Sequence, residues 1–380
     1  MVSGLRSVDR GMKREIHMKK AILFGVCVAF ACAAEAVGGR SLSEFPRLPG
    51  EKDDAPRFQR AVDACPCGTL MVPHGKYDFA STVFVTNCCS IEMSPSARIT
   101  AVAKMEWMIK INAIWQYDRK KAPKGVNSSM YNLTYRGGTL DARGLASCLS
   151  VDNYRHYTLE DATFLNPKKY GVGIELEGGG FEMFARNIYC RTEMRGLSGN
   201  TGIFTNGGDS HYCDCVVVDC TTGFHAAKRG SNRLSRIHVW GGTLPPRKSG
   251  EISESLIDSV SFRIEASDTE LRDCYSDTAL TGFYLTGWEI RMFGCTAANF
   301  SHFNINHATV ICQPKGSLLL SGFIATKGSK TAKVYDAGPG AMISARDNLY
   351  RGNFKPDEGP FPGRIVNERF PNPDFRDPLN

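Results

Sequence analysis

Between about residue 130 and residue 330 the hydrophobic positions fall in short β-prone runs of alternating character. Gly, Asn, Asp and Ser separate the runs, and no long amphipathic helix interrupts them. The pattern repeats. Leu271 to Cys274 aligns with Met292 to Cys295, which sets the two cysteines 21 residues apart. Phe262 and Phe283 each precede their cysteine by 12 residues. Further upstream, Ile174 precedes Cys190 by 16 and Phe204 precedes Cys220 by 16, a period of 30. Gly-Gly-Thr-Leu occurs at 137–140 and again at 241–244.

A coil of just over twenty residues, widened by loops, is one turn of a β-solenoid, in which each rung pairs with the rungs above and below. Side chains alternate faces along a strand, so a recurrent Cys flanked by polar residues points inward. Free Cys packs as a small buried hydrophobe. Cys190, Cys220, Cys274 and Cys295 are therefore expected to form a core ladder rather than disulfides. Asn299, Asn304 and Asn306 are candidates for turn ladders.

A different pattern precedes the rungs. Asp53 to Ala64 reads as an N-capped short helix with Phe58, Ala61 and Val62 on its apolar face. Gly68 to Tyr77 then reads as strand, tight turn, strand. The Asp53-Asp54 pair, the helix, and Gly-Thr followed by three apolar residues, Pro73, Gly75 and Tyr77 resemble the opening of pectate lyase superfamily proteins. The run Gly137-Gly138-Thr139-Leu140-Asp141 with Gly144 similarly resembles an early rung of that family. The resemblance covers roughly residues 45–330. It implies an all-β, single-stranded right-handed parallel β-helix with a short N-terminal capping helix. The fold hosts lyases, hydrolases, esterases, epimerases and phage tailspikes, so it does not choose an activity. The recognisable motifs of polygalacturonases, pectin methylesterases and calcium-dependent pectate lyases are not evident, and no catalytic residue is carried over.

Residues 1–36 read as a cleaved signal peptide: a basic stretch ending at Lys19-Lys20, an apolar run from Ala21 to Ala33, and Ala34-Glu35-Ala36 as the cleavage site. The run is too short for a membrane span. A secreted or periplasmic protein is expected, with a lipoprotein at Cys32 as the weaker alternative. Residues 37–52 read as an N-terminal extension, 53–350 as the β-helix, and 351–380, with six Pro, as an extended tail. The signal segment carries six Lys/Arg and three Asp/Glu, so its removal takes the net charge from +7 to +4. No basic run of nucleic-acid type remains. A polysaccharide is the expected partner, with the chain a monomer or a homotrimer. Cys65 or Cys67 bonded to Cys88 or Cys89 is the expected pairing near the cap. No Cys cluster, Cys213 and Cys215 included, carries a zinc pattern.

The outward face follows from the same alignment, taking the residues one before, one after and three after each inward position. The Cys190 rung then presents Tyr189, Arg191 and Glu193, and the Cys220 rung Asp219, Thr221 and Gly223. The Ile237 rung presents Arg236, His238 and Trp240, and the Cys274 rung Asp273, Tyr275 and Asp277. With rungs about 4.8 Å apart, Asp219, Arg236 and Asp273 would form an alternating charge column beside His238, Tyr275, Trp240 and Asp277. Arg236, His238, Asp273, Tyr275 and Asp277 are the catalytic candidates. Arg191, Asp219, Trp240, His211 and His225 are the substrate-binding ones, the two histidines in turns bordering the same groove. In a lyase, Arg236, or a Ca2+ ion held by Asp219 and Asp273, would neutralise a uronate while His238 or Tyr275 takes the C5 proton. In a glycoside hydrolase two carboxylates would act as acid and base. A non-catalytic carbohydrate-binding or tailspike-like solenoid, and a fructan- or dianhydride-type transferase with an intersubunit site, are the alternatives. Opposite charges on neighbouring strands are equally ordinary surface ladder pairs.

Overall fold

The computed structural model describes residues 39–112, 132–177, 180–246, 248–249, 251, 253–299, 308–312, 317–327, 333–337, 341–346, 348–351 and 364–366. The signal segment, Asn304, Asn306 and most of the tail lie outside the described residues. The described strands stack into three parallel sheets, here A, B and C, with thirteen, eleven and ten strands. Each rung runs A to B to C. One rung is Arg155–Glu160, Thr163–Leu165 and Tyr170–Ile174; the next is Phe181–Arg186, Tyr189–Arg191 and Thr201–Thr205. Sheet A begins with Arg40–Ser41, inside the expected N-terminal extension, and ends with Arg364–Val366, inside the expected tail.

The helix Ala55–Asp63 closes the N-terminal end, with Phe58, Ala61 and Val62 buried. Phe58 meets Tyr77 and Phe79 edge-on at 5.5 and 4.9 Å. The Gln59 side chain both donates to the Phe84 carbonyl and accepts from its N–H, so the cap satisfies strand groups that a further rung would otherwise bond.

Three inward columns explain the repeat. In sheet C, Ile203, Phe224, Phe262 and Phe283 lie on one another, and the Phe262 and Phe283 rings stack at 4.9 Å. In sheet B, Cys190, Val217, Val239 and Ser276 form one column. It presses on a column of small residues at the start of sheet C. A Cβ at Gly171 would meet Cys190 Sγ at 3.1 Å, and one at Gly223 would meet Val239 Cγ1 at 2.3 Å. The third column stands at the A-to-B corner: Ile188, Cys215, Ile237, Cys274 and Cys295, each backbone bonded to the next rung.

The cysteine ladder therefore needs correction. Cys274 and Cys295 share a column, but its third thiol is Cys215. Cys190 sits two positions further along the strand, and Cys220 sits in the B-to-C corner, 3.6 Å from the Thr192 hydroxyl. All four expected members are buried, and the eleven cysteines from Cys65 to Cys295 are free thiols. The slip arises because the residues 192–200 lengthen one turn, so a spacing of 30 does not superpose equivalent positions: Ile174 pairs with Thr205, not Phe204.

Candidate functional site

From Asp161 to Gly322 each described A-to-B corner is two residues long, and the first adopts a left-handed conformation: Asp161, Asn187, Asp214, Arg236 and Asp273 all have φ between 52° and 56°. Asn and Asp tolerate that region best, and Gly294 and Gly322 continue the ladder. Arg236 and Asp273 are thus corner residues, not strand residues. Arg236 is engaged by Asp214 on the adjacent rung through two bonds of 2.6 and 2.8 Å. The charge column is Asp214–Arg236–Asp273. Asp219, assigned to it from the sequence, stands at the other end of the sheet B strand.

Asp219 is almost fully buried and holds the 241–259 insertion. It accepts from the Thr243 N–H at 3.1 Å, the Thr243 hydroxyl and the Ser255 hydroxyl at 2.6 Å. It cannot share a Ca2+ ion with Asp273 across the strand. Among the described residues no group of three or more His, Cys, Asp or Glu is placed to hold a metal.

Four sequence candidates do meet on the outer face of sheet B. His238 pairs with Tyr275 and Trp240 with Asp277 in neighbouring strands. The His238 ring lies 4.6 Å from Tyr275 and 6.3 Å from Trp240, nearly parallel to both. Burial lowers the His238 pKa against the pull of Asp277, and its Nε2 has no hydrogen-bond partner. Burial raises the Tyr275 phenol, and Asp277 adds to that shift. Arg191 shares the Trp240 column but is separated from it by the Val218 rung. This face is walled on one side only, by the insertion, because the A-to-B corners are too short to project.

The two remaining histidines lie elsewhere. His211 opens a strand on sheet A and stacks on Phe184 at 5.3 Å. His225 lies in the sheet C strand Thr222–Ala226. Neither borders the sheet B face, contrary to the turn positions read from the sequence.

His225 belongs to a constellation the sequence analysis did not assemble. Phe204, His225, Arg263 and Tyr284 occupy one outward column of sheet C on four successive rungs. Phe204 meets His225 edge-on at 4.9 Å and Tyr170 at 5.0 Å, and Tyr170 stacks on Trp107 at 5.8 Å. Glu265 accepts from Arg263 Nε at 2.7 Å and lies 3.3 Å from His225 Nε2. The Arg263 guanidinium covers the Tyr284 ring at 5.3 Å. Burial lowers the His225 pKa although Glu265 opposes it, and burial of Glu265 is outweighed by Arg263 and His225, which hold its carboxyl below the usual range. Sheet C has described connections on both sides: 192–200, 241–246 and 253–259 on the B side, 175–177, 206–210 and 227–232 on the A side.

No family model and no curated protein matches the sequence. Solved structures do. The tailspike protein of Escherichia coli bacteriophage HK620, in complex with a pentasaccharide, superposes with a TM-score of 0.60 at 9% identity, over 89% of this chain and 66% of the tailspike. The A-module of the mannuronan C-5 epimerase AlgE4 from Azotobacter vinelandii gives 0.55 at 13%, over 88% and 98%. ORF18 of Geobacillus virus E2 gives 0.53 at 12%, over 89% and 61%. The chain has the pectate-lyase-like right-handed parallel β-helix fold. It spans less than two thirds of each phage protein, and at these identities the likeness concerns fold alone. Among the described residues no helix is long and apolar enough to cross a membrane.

Signals for the sheet C column were present. Thr201-Gly202-Ile203-Phe204, Thr222-Gly223-Phe224-His225 and Thr281-Gly282-Phe283-Tyr284 are one motif repeated. Its fourth position is the outward column.

Proposed function

We propose that this β-helix is an exported polysaccharide-processing protein that binds an extended acidic glycan along the outer face of sheet C and cleaves it as a lyase. The observation that supports this best is the grouping of Arg263, His225, Glu265 and Tyr284 on the one face bordered by loops on both sides. The Arg263 guanidinium would pair with a uronate carboxylate and make the C5 proton more acidic. His225, whose pKa burial lowers, has Nε2 3.3 Å from Glu265, which would steer the ring so that Nδ1 acts as the base. As the C5–H electrons form the C4–C5 double bond, the C4–O4 bond breaks and the Tyr284 phenol protonates the leaving oxygen. A hydrolase needs two carboxylates facing across the scissile bond, and Glu265 is the carboxylate that the described ion pairs of His225 and Arg263 share. Phe204 and Tyr170 would carry sugar faces beyond the reacting ring.

A second reading, non-catalytic carbohydrate binding, is favoured by the nearly parallel His238, Tyr275 and Trp240 rings on the one-walled face of sheet B. A panel of acidic polysaccharides, followed both by ultraviolet absorbance of unsaturated product and by reducing ends, separates the readings. Absorbance growth abolished by Arg263→Ala supports the lyase. Reducing ends without absorbance point to a hydrolase, and neither signal with retained binding leaves the binding protein.

A further inference from the structure

The N-terminal cap carries four cysteines within 25 residues, and the rungs bring them face to face. Strand Thr69–Val72 pairs with Ser90–Met93 with Thr69 opposite Ser90. The pairing continues backward, since Ser90 N–H donates to the Gly68 carbonyl at 2.9 Å and Cys67 N–H to the Asn87 carbonyl at 3.1 Å. Cys67 therefore lies over Cys88. Both are left-handed, with φ of 55° and 65°, so their side chains leave the backbone in the same direction. Stacked residues on adjacent strands sit about 4.8 Å apart, inside the Cα separation a disulfide spans. The turn closed by Gly68 N–H on the Cys65 carbonyl at 3.3 Å folds Cys65 back toward Cys89.

Two non-glycine residues in the left-handed region, one above the other and both Cys, are not needed by the turn itself, which Asn or Gly would serve better. The Cys88 thiol is pushed up to about 12 by burial with Cys67 adding to the shift, so it is the slower nucleophile of the pair and acts as the resolving thiol. Cys67 is exposed, so it is the entry point for an oxidant. Cys65 and Cys89 are both buried, and their thiols contact each other.

We infer that the Cys67–Cys88 and Cys65–Cys89 thiol pairs, free in this structure, close on oxidation into two disulfides that fasten the capping helix to the second rung. For each, two thiols lose two protons and two electrons to a disulfide oxidant of the glutathione type, which leaves as two thiols. The expected pairing from the sequence left four combinations open; the register selects Cys67–Cys88, and the contact between the two buried thiols selects Cys65–Cys89. The consequence is local. The helix Ala55–Asp63 shields the end of the solenoid core, and Asn87 already bonds the Val62 carbonyl at 2.6 Å, so the crosslinks would hold a cap that is otherwise free to fray.

The test is to incubate the purified folded chain with oxidised glutathione, block exposed thiols with one alkylating reagent and, after unfolding, all remaining thiols with a second, and map crosslinked peptides without reduction. The expected result is one linked cluster containing all four cysteines, with Cys148, Cys190, Cys215, Cys274 and Cys295 alkylated only after unfolding. Because Cys88 and Cys89 are adjacent, single variants decide the pairing. Cys65→Ser should leave Cys89 as the newly alkylated residue and Cys67→Ser should leave Cys88. Cys89→Ala and Cys88→Ala, the reciprocal pair, should free Cys65 and Cys67 and guard against misfolding of the first two. Four alkylated thiols in the oxidised wild type, a glutathione adduct on Cys67 that never resolves, or the crossed pairing would each overturn the assignment.

Discussion

Glu175 offers the sharpest test of the interior. It follows the sheet C strand Tyr170–Ile174, is 2% exposed, and has a left-handed φ of 56°. Tyr154, Gly180 and Gly207 enclose it, and Arg229 reaches it at 3.3 Å from the surface. Burial dominates and raises its pKa from 4.5 to about 7, although Tyr154, Gly180 and Arg229 all pull it down. A carboxyl raised in the folded state binds more protons folded than unfolded between those values. Its contribution is therefore fully present below the unfolded pKa and is lost as pH rises through 7. A shift of that size corresponds to about 3 kcal/mol in total, of which about 2–3 kcal/mol falls between roughly pH 5 and pH 8. Glu175→Gln keeps the shape and cannot ionise. Urea unfolding of wild type and variant at about pH 5 and pH 8 should show the variant gaining on the wild type by about 2 kcal/mol at the higher pH. Taking the difference of differences cancels every other titrating group. An unchanged gap at the two pH values would refute the argument that this carboxyl is forced to ionise in a buried site.

Three further outcomes are expected. Gly223→Ala puts a methyl 2.3 Å from Val239 Cγ1 and 2.6 Å from the Ser261 carbonyl, and should destabilise by about 1–3 kcal/mol, read as a lower melting temperature, whereas Gly199→Ala, with open space, should show only the strain of its positive φ. Asp219→Ala removes the acceptor that Thr243 and Ser255 share, and limited proteolysis should then cut within 241–259 faster than in wild type; equal rates would mean that other contacts, such as the Gly196 N–H on Glu254, hold the insertion without Asp219. Turnover of an acidic glycan should persist below the ordinary histidine range, because the lowered His225 pKa keeps the base neutral as pH falls, and a pH–rate profile with its acid limb near or above 6.5 would count against His225 as that base.

The fold was legible because a solenoid writes its geometry into spacing. The 21-residue interval between Phe262 and Phe283 is a true rung, and the pairs His238–Tyr275 and Trp240–Asp277 are neighbours as the alternation implies. The charge column was misread where loops intervene. Nothing in a sequence distinguishes a strand carboxylate from a corner one, so Asp219 took the place of Asp214. Cysteine also misled, since a small apolar side chain suits three different columns and recurs in each. Sheet C was overlooked for a different reason. The cysteines mark sheet B and its corners, whereas sheet C is marked by the Thr-Gly-Phe motif, which places His225 and Tyr284 at equivalent positions.

The invariant two-residue corner between sheets A and B has an evolutionary meaning. Because each described corner from Asp161 to Gly322 has the same length and handedness, cutting the gene at one corner and rejoining at the next removes one whole turn without disturbing the pleat on either side. The molecule can thus lengthen or shorten only in whole turns, each of about 4.8 Å along the axis. Variation within a turn is left to the connections bordering sheet C, which are free to diverge. Such a lineage would change its reach by duplication and its chemistry by insertion, two kinds of mutation acting on separate edges of the same coil.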